Sequence, residues 1–246
     1  MIYSQLTSAG KNGKKLLAIL VDPDKTGEVQ CESLANKATL AGVDFIFVGS
    51  SLLTRDHLTK CVCAIKRATS IPVLLFPGNT MQLCDEADAL LFLTMISGRN
   101  PDLLIGKQVI AAPLIRESGI EVISTGYMLI DCGHPTSVSY MSQTFPIPHD
   151  KDDIAWCTAL AGEMLGLKTI FMDAGSGAKI SISNRMIKSV KENISIPLIV
   201  GGGIRTPEKL IDIFNAGADV AVVGNALEKD PDLLGELAAA ARSVKV

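Results

Sequence analysis

Glycine-rich segments follow two apolar runs in the C-terminal half of the chain. Gly201-Gly202-Gly203-Ile204 comes directly after residues 198–200, and Gly224-Asn225 comes directly after residues 220–223. Glycine lets backbone N–H groups approach an anion closely, so such segments can bind phosphate without a cation. The same residues could form tight turns without any ligand. Because both segments follow apolar runs in the same way, we expect them to bind one phosphate group.

Acidic and hydroxyl side chains follow two runs in the N-terminal half. Asp22-Pro23-Asp24-Lys25 comes after residues 16–21, and Ser50 and Ser51 come shortly after residues 45–48. Carboxylate and hydroxyl oxygens suit Mg²⁺, which often bridges to substrate phosphates. A turn followed by a solvated lysine is the alternative. These residues are candidates for a magnesium site.

A third segment, Asp173-Ala174-Gly175-Ser176-Gly177, places a carboxylate beside a flexible turn after residues 169–172. The carboxylate could orient or deprotonate a substrate hydroxyl. A simple turn with an aspartate cap is the alternative. His57, His134 and His149 are not near any of these segments in sequence. Three such segments at three predicted strand ends favour a functional interpretation more than any one alone.

The elements that must position these residues are predicted from eight short apolar runs. Most runs are continuously apolar, which is typical of parallel strands covered on both faces. Segments with helical spacing lie between most of them, so the 246-residue chain is predicted to form a (β/α)₈ barrel, in a single domain over residues 1–246. An open doubly wound sheet is the alternative. The predicted strands are residues 16–21, 45–48, 73–76, 89–93, 121–124, 169–172, 198–200 and 220–223.

Two helices carry clear end signals. Thr206-Pro207-Glu208 predicts a cap, a first-turn proline and a first-turn acid, and Gly217 predicts the end of that helix. Asp150 is predicted to cap a second helix that ends at Gly166. The expected buried face of the second helix consists of Ile154, Cys157, Ala161 and Met164.

Two segments interrupt the alternation of strands and helices. Residues 80–88 leave room for only a stub of helix, so the helix between strands three and four is predicted to be reduced or missing. Residues 125–148 are rich in Gly, Pro, Ser, Thr and Tyr and are predicted to form a long loop. Loops of that length in compact domains are usually functional or mobile.

The composition excludes several classes of protein. Hydrophobic residues make up 48% and charged residues 20% of the chain, which argues against disorder. A net charge of −3 provides no electrostatic basis for binding nucleic acid. No apolar run reaches the roughly 20 residues of a membrane-spanning helix, and no signal peptide is apparent. We therefore expect a cytoplasmic protein whose cysteines are reduced structural thiols rather than zinc ligands.

Together, the motifs resemble the geranylgeranylglyceryl phosphate synthase family, which includes the bacterial heptaprenylglyceryl phosphate synthases. The reduced segment between strands three and four, Ser97-Gly98-Arg99-Asn100-Pro101 and Thr125-Gly126-Tyr127 resemble this family too. The Asp-Ala-Gly-Ser-Gly-Ala form is closest to the archaeal and Bacteroidetes-type branch. The main motifs are Val21-Asp22-Pro23-Asp24-Lys25, Phe47-Val48-Gly49-Ser50-Ser51, Asp173-Ala174-Gly175-Ser176-Gly177-Ala178, Val200-Gly201-Gly202-Gly203-Ile204 and Val223-Gly224-Asn225-Ala226.

The resemblance implies a reaction, a cofactor and residue roles. A polyprenyl diphosphate, geranylgeranyl diphosphate by expectation, would alkylate the C3 hydroxyl of sn-glycerol 1-phosphate and release diphosphate. Asp22 and Ser51 would hold Mg²⁺, and Asp173 would hold the glycerol hydroxyls and accept the proton. The implied glycerol 1-phosphate site comprises Phe171, Met172, Asp173, Ala174, Gly175, Ser176, Gly177, Gly202, Gly203, Gly224 and Asn225.

This chain departs from the family pattern at three places. The family usually has Tyr-Leu-Glu where this chain has Phe171-Met172-Asp173, which shortens the acid and removes a hydroxyl. Ser50 replaces a usual glycine, which could crowd the metal or change which serine binds it. Leu20 stands where the shorter-motif branch has a lysine. These differences concern substrate affinity and metal ligands more than the fold.

Two other functions share the same phosphate loops. One is a sugar-phosphate isomerase or lyase, and the other is a non-catalytic barrel that binds phosphate ligands or lipids. A long apolar groove from the Asp22 end of the barrel would favour a prenyl substrate, whereas a closed polar pocket would favour an isomerase. The resemblance also implies a homo-oligomer, a dimer or hexamer, and we expect only transient contact with a membrane.

Overall fold

A computed structural model describes residues 1–55 and 57–244 and contains a closed barrel of parallel strands. The eight strands follow one another in chain order around the barrel, and β8 pairs with β1. The predicted (β/α)₈ barrel is therefore confirmed, and the open sheet is excluded. The strands are β1 Leu16–Val21, β2 Phe45–Val48, β3 Val73–Leu75, β4 Ala89–Thr94, β5 Glu121–Leu129, β6 Thr169–Asp173, β7 Leu198–Gly201 and β8 Val220–Val223.

The strands are apolar throughout because both of their faces are buried. In β1, Leu16 and Ala18 pack in the barrel interior with Phe47 of β2. The alternate residues Leu17 and Ile19 pack in the layer between the sheet and the helices. Successive side chains of a strand point to opposite faces, so a parallel barrel needs apolar residues at every position of a strand.

The helices surround this barrel, and a π-helical turn, Asp102–Gly106, leads into one of them. Within the described ranges 1–55 and 57–244, none of the helices has the length and apolar character needed to cross a membrane. The helices are α1 Ile2–Lys11, α2 Glu28–Ala41, α3 Leu58–Ala68, α4 Lys107–Ser118, α5 Ser137–Ser142, α6 Asp152–Met164, α7 Asn184–Lys191, α8 Pro207–Asn215, α9 Asn225–Lys229 and α10 Leu233–Ser243.

Helix α1 closes one end of the barrel, and the sequence patterns did not predict it. Ile2, Leu6 and Ala9 are buried in the same cluster as the barrel interior. The backbone N–H groups of Ile2 and Tyr3 donate to the carboxylate of Glu121, the first residue of β5, at 2.6 and 2.9 Å. These bonds satisfy N–H groups that a helix start otherwise leaves free. The opposite end, where the strands finish, stays open for a site.

The segment after residue 124 differs from the predicted long loop. β5 continues to Leu129, five residues beyond its predicted end at Ser124, because β4 and β6 both provide backbone partners there. The chain then forms α5 and returns to the carboxyl end of β5 through a bridge between Ile130 and Ile147. The prediction for the segment between β3 and β4 is confirmed, since residues 76–88 are all described and contain no helix.

The predicted buried face of α6 is wrong. Its buried residues are Ala155, Ala159 and Gly162, whereas Ile154 and Met164 are exposed. The reason is close packing on the sheet. A Cβ at Gly162 would lie 2.9 Å from the Cδ1 of Ile96 and 3.2 Å from the Cδ1 of Ile170. The helix therefore turns its small residues inward, and hydrophobicity alone does not identify the face.

The predicted cap at Asp150 is also wrong, because α6 begins at Asp152 with Lys151 at its N-cap and no side-chain cap. The other predicted helix ends agree with the structure. The side chain of Thr206 caps α8 by accepting a hydrogen bond from the backbone of Lys209, and Pro207 is its first residue. Gly166 follows α6 with a φ of +88°, which suits a glycine after a helix end. These signals depend on a few neighbouring residues and not on distant packing.

Candidate active site

A cavity of about 510 Å³ opens at the carboxyl ends of the strands. Part of its wall is polar and contains Asp22, Asp173 and the glycines that follow β6, β7 and β8. Another part is apolar and comes from β4, the π-helical turn and α4. The apolar wall includes Phe92, Leu93, Met95, Leu103, Leu114 and Ile115. The cavity can therefore receive a ligand with a charged end and a long apolar portion.

Three glycine loops form the polar end, namely residues 175–177, 201–203 and 224–225. Gly202 shows why this residue type is needed. Its φ is +85°, and a Cβ there would lie 2.9 Å from both the backbone nitrogen of Ala174 and the Oδ1 of Asp173. A side chain at Gly202 would therefore strain the backbone and push against the candidate base.

Asn225 connects the first and third glycine loops. Its Oδ1 accepts hydrogen bonds from the Ser176 hydroxyl and the Gly177 N–H, both at 2.9 Å. Its Nδ2 donates to the Oε2 of Glu228 at 3.4 Å, and Glu228 also pairs with Lys25 at 3.3 Å. Asn225 therefore shapes the loops through its side chain, while Gly224 lets the chain enter α9 beside them.

Asp22 lies at the end of β1 with oxygen and nitrogen groups close around it. Its Oδ1 accepts a hydrogen bond from the backbone N–H of Asp24 at 3.1 Å. Its Oδ2 lies 3.2 Å from the Nζ of Lys25 and accepts a hydrogen bond from the Ser50 hydroxyl at 3.3 Å. A carboxylate and a hydroxyl are the hard oxygen donors that Mg²⁺ prefers. These residues fit a magnesium ion.

The neighbouring Asp24 has a different task. Its carboxylate accepts hydrogen bonds from the N–H and hydroxyl of Thr54 and from the N–H of Arg55, so it holds the loop after β2. Ser51, the predicted partner of Asp22, lines the same cavity, but the hydroxyl that contacts Asp22 belongs to Ser50. Which serine faces the carboxylate depends on loop geometry that the sequence does not specify.

Asp173 is the last residue of β6 and lies half-buried in the cavity wall. Its Oδ1 accepts from the N–H of Gly175 at 2.8 Å, and its Oδ2 accepts from the hydroxyl of Tyr127 at 2.6 Å. Burial raises the pKa of Asp173, and the hydrogen bonds from Tyr127 and Gly175 act against that rise. A half-buried carboxylate with a raised pKa at a cavity wall is well suited to accept a proton.

Tyr127 is the site residue that the sequence patterns did not identify. It lies on β5 directly opposite Phe171 of β6, inside the part of β5 that was predicted to be loop. Thr125-Gly126-Tyr127 resembles the family, but nothing local indicates that the phenol reaches Asp173. A hydroxyl from the neighbouring strand therefore lies beside Asp173, although position 171 is phenylalanine.

The other predicted substrate residues divide into two groups. The cavity wall contains Phe171, Gly175, Ser176, Gly177, Gly202, Gly203, Gly224 and Asn225. Met172 and Ala174 are instead fully buried in the layer between the sheet and the helices. The backbone N–H of Ala174 is also occupied, because it donates to the carbonyl of Gly201. The structure therefore brings together all of the predicted segments, but not every residue within them.

Comparisons with known proteins place this site in one family. The pattern of the PcrB family matches residues 12–241. The geranylgeranylglyceryl phosphate synthase of Chitinophaga pinensis is 55% identical over 96% of this chain and 94% of its own length. The enzyme of the same name from Korarchaeum cryptofilum is 37% identical over 92% of this chain and 93% of its own length.

Solved structures agree with these sequence relatives. The (S)-3-O-geranylgeranylglyceryl phosphate synthase of Thermoplasma acidophilum, solved with sn-glycerol-1-phosphate, superposes with a TM-score of 0.94 at 30% identity, covering 99% of each chain. A tryptophan synthase alpha subunit from Legionella pneumophila, at 15% identity and a TM-score of 0.58, shares the fold alone. With matches of this extent in sequence and structure, the chain belongs to the PcrB family.

Proposed function

We propose that this chain is a prenyltransferase that joins geranylgeranyl diphosphate to the C3 hydroxyl of sn-glycerol 1-phosphate and releases diphosphate. One observation carries the proposal. A single cavity contains the glycine loops, the half-buried carboxylate of Asp173 and an apolar wall. The glycine loops suit a phosphate, the carboxylate suits a hydroxyl group, and the apolar wall suits a prenyl chain.

The glycerol 1-phosphate site is proposed at β6, β7 and β8. Gly175, Gly177, Gly202 and Gly203 all have positive φ values, so their backbone N–H groups can turn toward a phosphate. Asn225 keeps two of these loops together. With the phosphate held there, the glycerol portion extends toward Asp173, which lines the same cavity.

Asp22 and a serine hydroxyl, Ser50 or Ser51, would hold the magnesium ion. In the described part of the chain no three His, Cys, Asp or Glu side chains gather to hold a metal, so water and diphosphate oxygens would complete the coordination. When bound, the metal supplies positive charge that offsets the charge developing on the departing diphosphate. Lys25, beside Asp22, adds a second positive charge at this place.

The chain's own residues then direct the transfer. The glycine loops and Asp173 hold the glycerol oxygen near the allylic carbon, and the apolar wall aligns the prenyl chain. A bond forms between the C3 oxygen and the allylic carbon as the bond from that carbon to the diphosphate oxygen breaks. The hydroxyl proton passes to the carboxylate of Asp173. The closed interior below the site, filled by side chains such as Phe47 and Leu91, excludes water from beneath.

We further propose that the chain acts as one domain over residues 1–246, in the cytoplasm, as a homo-oligomer. Large apolar side chains on the outer face of α6, including Ile154 and Met164, support association with another copy. The lipid-like product supports transient contact with a membrane surface.

Single-turnover transfer from geranylgeranyl diphosphate to labelled sn-glycerol 1-phosphate, with Mg²⁺, tests the proposed function. We expect an ether product that carries the label. If no prenyl diphosphate of any length yields product while the protein still binds glycerol phosphate, the synthase assignment is wrong. The alternative functions would then be those of a sugar-phosphate isomerase, a lyase or a non-catalytic barrel that binds phosphate.

Replacing Gly202 with alanine is expected to raise the KM for sn-glycerol 1-phosphate by about tenfold or more, because its Cβ would press on Ala174 and Asp173 and displace the loop, and losing one hydrogen bond to a charged phosphate costs roughly 1.5–3 kcal/mol. Steady-state kinetics at saturating prenyl diphosphate measures this change. Gly119→Ala is the matched control, since Gly119 also has a positive φ but a Cβ there would meet no atom of the described residues within 4 Å. An unchanged KM in Gly202→Ala would contradict the placement of the phosphate.

A further inference from the structure

A hydrogen bond between neighbouring strands connects Tyr127 to the candidate base. We propose that Tyr127 is a positioning residue whose hydroxyl keeps the Asp173 carboxylate ionised and turned toward the substrate. This inference rests on the proposed function, and it adds a residue to the acid–base machinery of the site.

The register of β5 and β6 in the barrel sets the geometry of the hydrogen bond between Tyr127 and Asp173. Tyr127 and Phe171 are direct partners in the register of β5 and β6, and Asp173 lies two residues farther along β6. From this position the phenol oxygen reaches the Oδ2 of Asp173 at 2.6 Å. The Oδ1 accepts from the N–H of Gly175 at 2.8 Å. Each carboxylate oxygen therefore has one donor, which fixes the plane of the carboxylate.

The surroundings of Asp173 contain little else to support a negative charge. On the other side of β6, β7 contributes Gly201 and the next residue is Gly202, neither of which is titratable. Arg205, the nearest cation after β7 in sequence, donates instead to the carbonyl of Ala178. Across residues 1–55 and 57–244, the groups that act on the ionisation of Asp173 are Tyr127 and the Gly175 N–H, together with burial.

Desolvation disfavours a buried carboxylate, and hydrogen bonds to its charged form favour it. Among the side chains that the structure describes, the Tyr127 phenol is the one that performs this task for Asp173. Burial and the charge of Asp173 raise the pKa of Tyr127 well above its ordinary value, so the phenol keeps its proton and acts as a donor. Losing the hydroxyl would therefore favour the protonated carboxyl, which cannot accept the substrate proton.

The ring of Tyr127 is held in place by aromatic neighbours. Its centroid lies 6.0 Å from that of Phe76 and 5.8 Å from that of Phe171, and those two rings stack on each other at 4.8 Å. Phenylalanine at position 127 would keep this packing and remove only the hydroxyl. The packing role and the hydrogen-bonding role of Tyr127 can therefore be separated by one substitution.

The pH dependence of kcat/KM for ether formation in Tyr127→Phe tests the proposal. The acid limb of this profile reports the pKa of the base in the free enzyme. Because a hydrogen bond to a charged group favours the ionised form, its loss is expected to move the acid limb upward by about one pH unit or more. Above that limb the rate of the variant should reach a plateau at or below the wild-type value, because the carboxylate has lost one of the two donors that orient it. A lower rate at every pH with an unshifted limb would overturn the proposal, since it would indicate a purely structural role.

Unfolding by urea at several pH values gives a second readout that needs no activity. The folded pKa of Asp173 is raised, so its contribution to stability is present at low pH and lost as pH rises through that pKa. Tyr127→Phe raises the folded pKa further, so its stability deficit relative to wild type should grow with pH over this window. In an Asp173→Asn background, the deficit should no longer depend on pH. A deficit that is independent of pH in both backgrounds would overturn the proposal.

The two measurements also separate this proposal from the proposed function. If wild type forms no ether product, the prenyltransferase assignment fails, and the unfolding series still decides whether Tyr127 controls the ionisation of Asp173. If wild type forms product and neither the acid limb nor the stability deficit behaves as expected, the role of Tyr127 fails alone.

Discussion

Asp22→Asn is expected to lower Mg²⁺-dependent ether formation by about a thousandfold, since metal stabilisation of a leaving group is worth several kcal/mol and each 1.36 kcal/mol is a factor of ten. The substitution removes the charge but keeps an oxygen that can accept from the N–H of Asp24. Lys25 retains its second partner, Glu228, so the loop should keep its shape. Single-turnover rates at several Mg²⁺ concentrations measure the effect, and calorimetry should show weaker Mg²⁺ binding without any turnover.

Asp24→Asn is the control for this prediction. Its carboxylate holds Thr54 and Arg55, so we expect lower stability but an unchanged Mg²⁺ requirement. If Asp24→Asn loses the Mg²⁺ response and Asp22→Asn keeps it, the metal carboxylate is Asp24 and our assignment is wrong. Ser50→Ala and Ser51→Ala, compared in the same assay, identify which hydroxyl contributes.

Asp173→Asn is expected to lower kcat by about 10²–10⁴-fold, the usual contribution of a positioned general base. Asparagine fills the same space and can still accept from the Tyr127 hydroxyl, so the KM for glycerol phosphate should change far less than kcat. Rapid-quench measurement of ether product with both substrates saturating separates the two parameters.

The wild-type pH profile and one further variant check this role of Asp173. Because burial raises the pKa of Asp173, wild-type activity should fall with decreasing pH at a value above the ordinary aspartate range. The pH profile of the Asp173→Asn variant should not show this fall in activity at low pH. Asp173→Glu restores a carboxylate with one more methylene and should recover part of the rate. Equal loss in the Asn and Glu variants would argue that Asp173 shapes the site and does not accept the proton.

The barrel and the locations of the chemical segments were determined by local sequence. A parallel strand buried on both faces must be apolar at nearly every position, so runs such as residues 169–172 are visible without tertiary information. A loop that turns with positive φ close to an anion needs glycine, so Gly202 and Gly203 can be recognised as candidate phosphate-binding residues from the sequence alone. Strand ends in a barrel meet at one mouth, which is why segments more than 150 residues apart were predicted to share a site.

Other features were decided only by tertiary structure. β5 extends to Leu129 because β4 and β6 offer backbone partners, although the sequence there is typical of a loop. The small residues of α6 face inward because Ile96 and Ile170 leave no room for larger ones. Helix α1 is ordered by the carboxylate of Glu121, which is more than a hundred residues away in sequence.

In the site, too, some features were determined by the sequence and others only by the tertiary structure. Sequence alone determined that a carboxylate would end β6, and strand register decided that the hydroxyl beside it would come from Tyr127 and not from position 171. Loop geometry decided that Ser50 would contact Asp22. Residue type and local spacing determine which chemistry a segment can perform, whereas hydrogen bonds between distant segments exist only after the barrel closes and sets their distances.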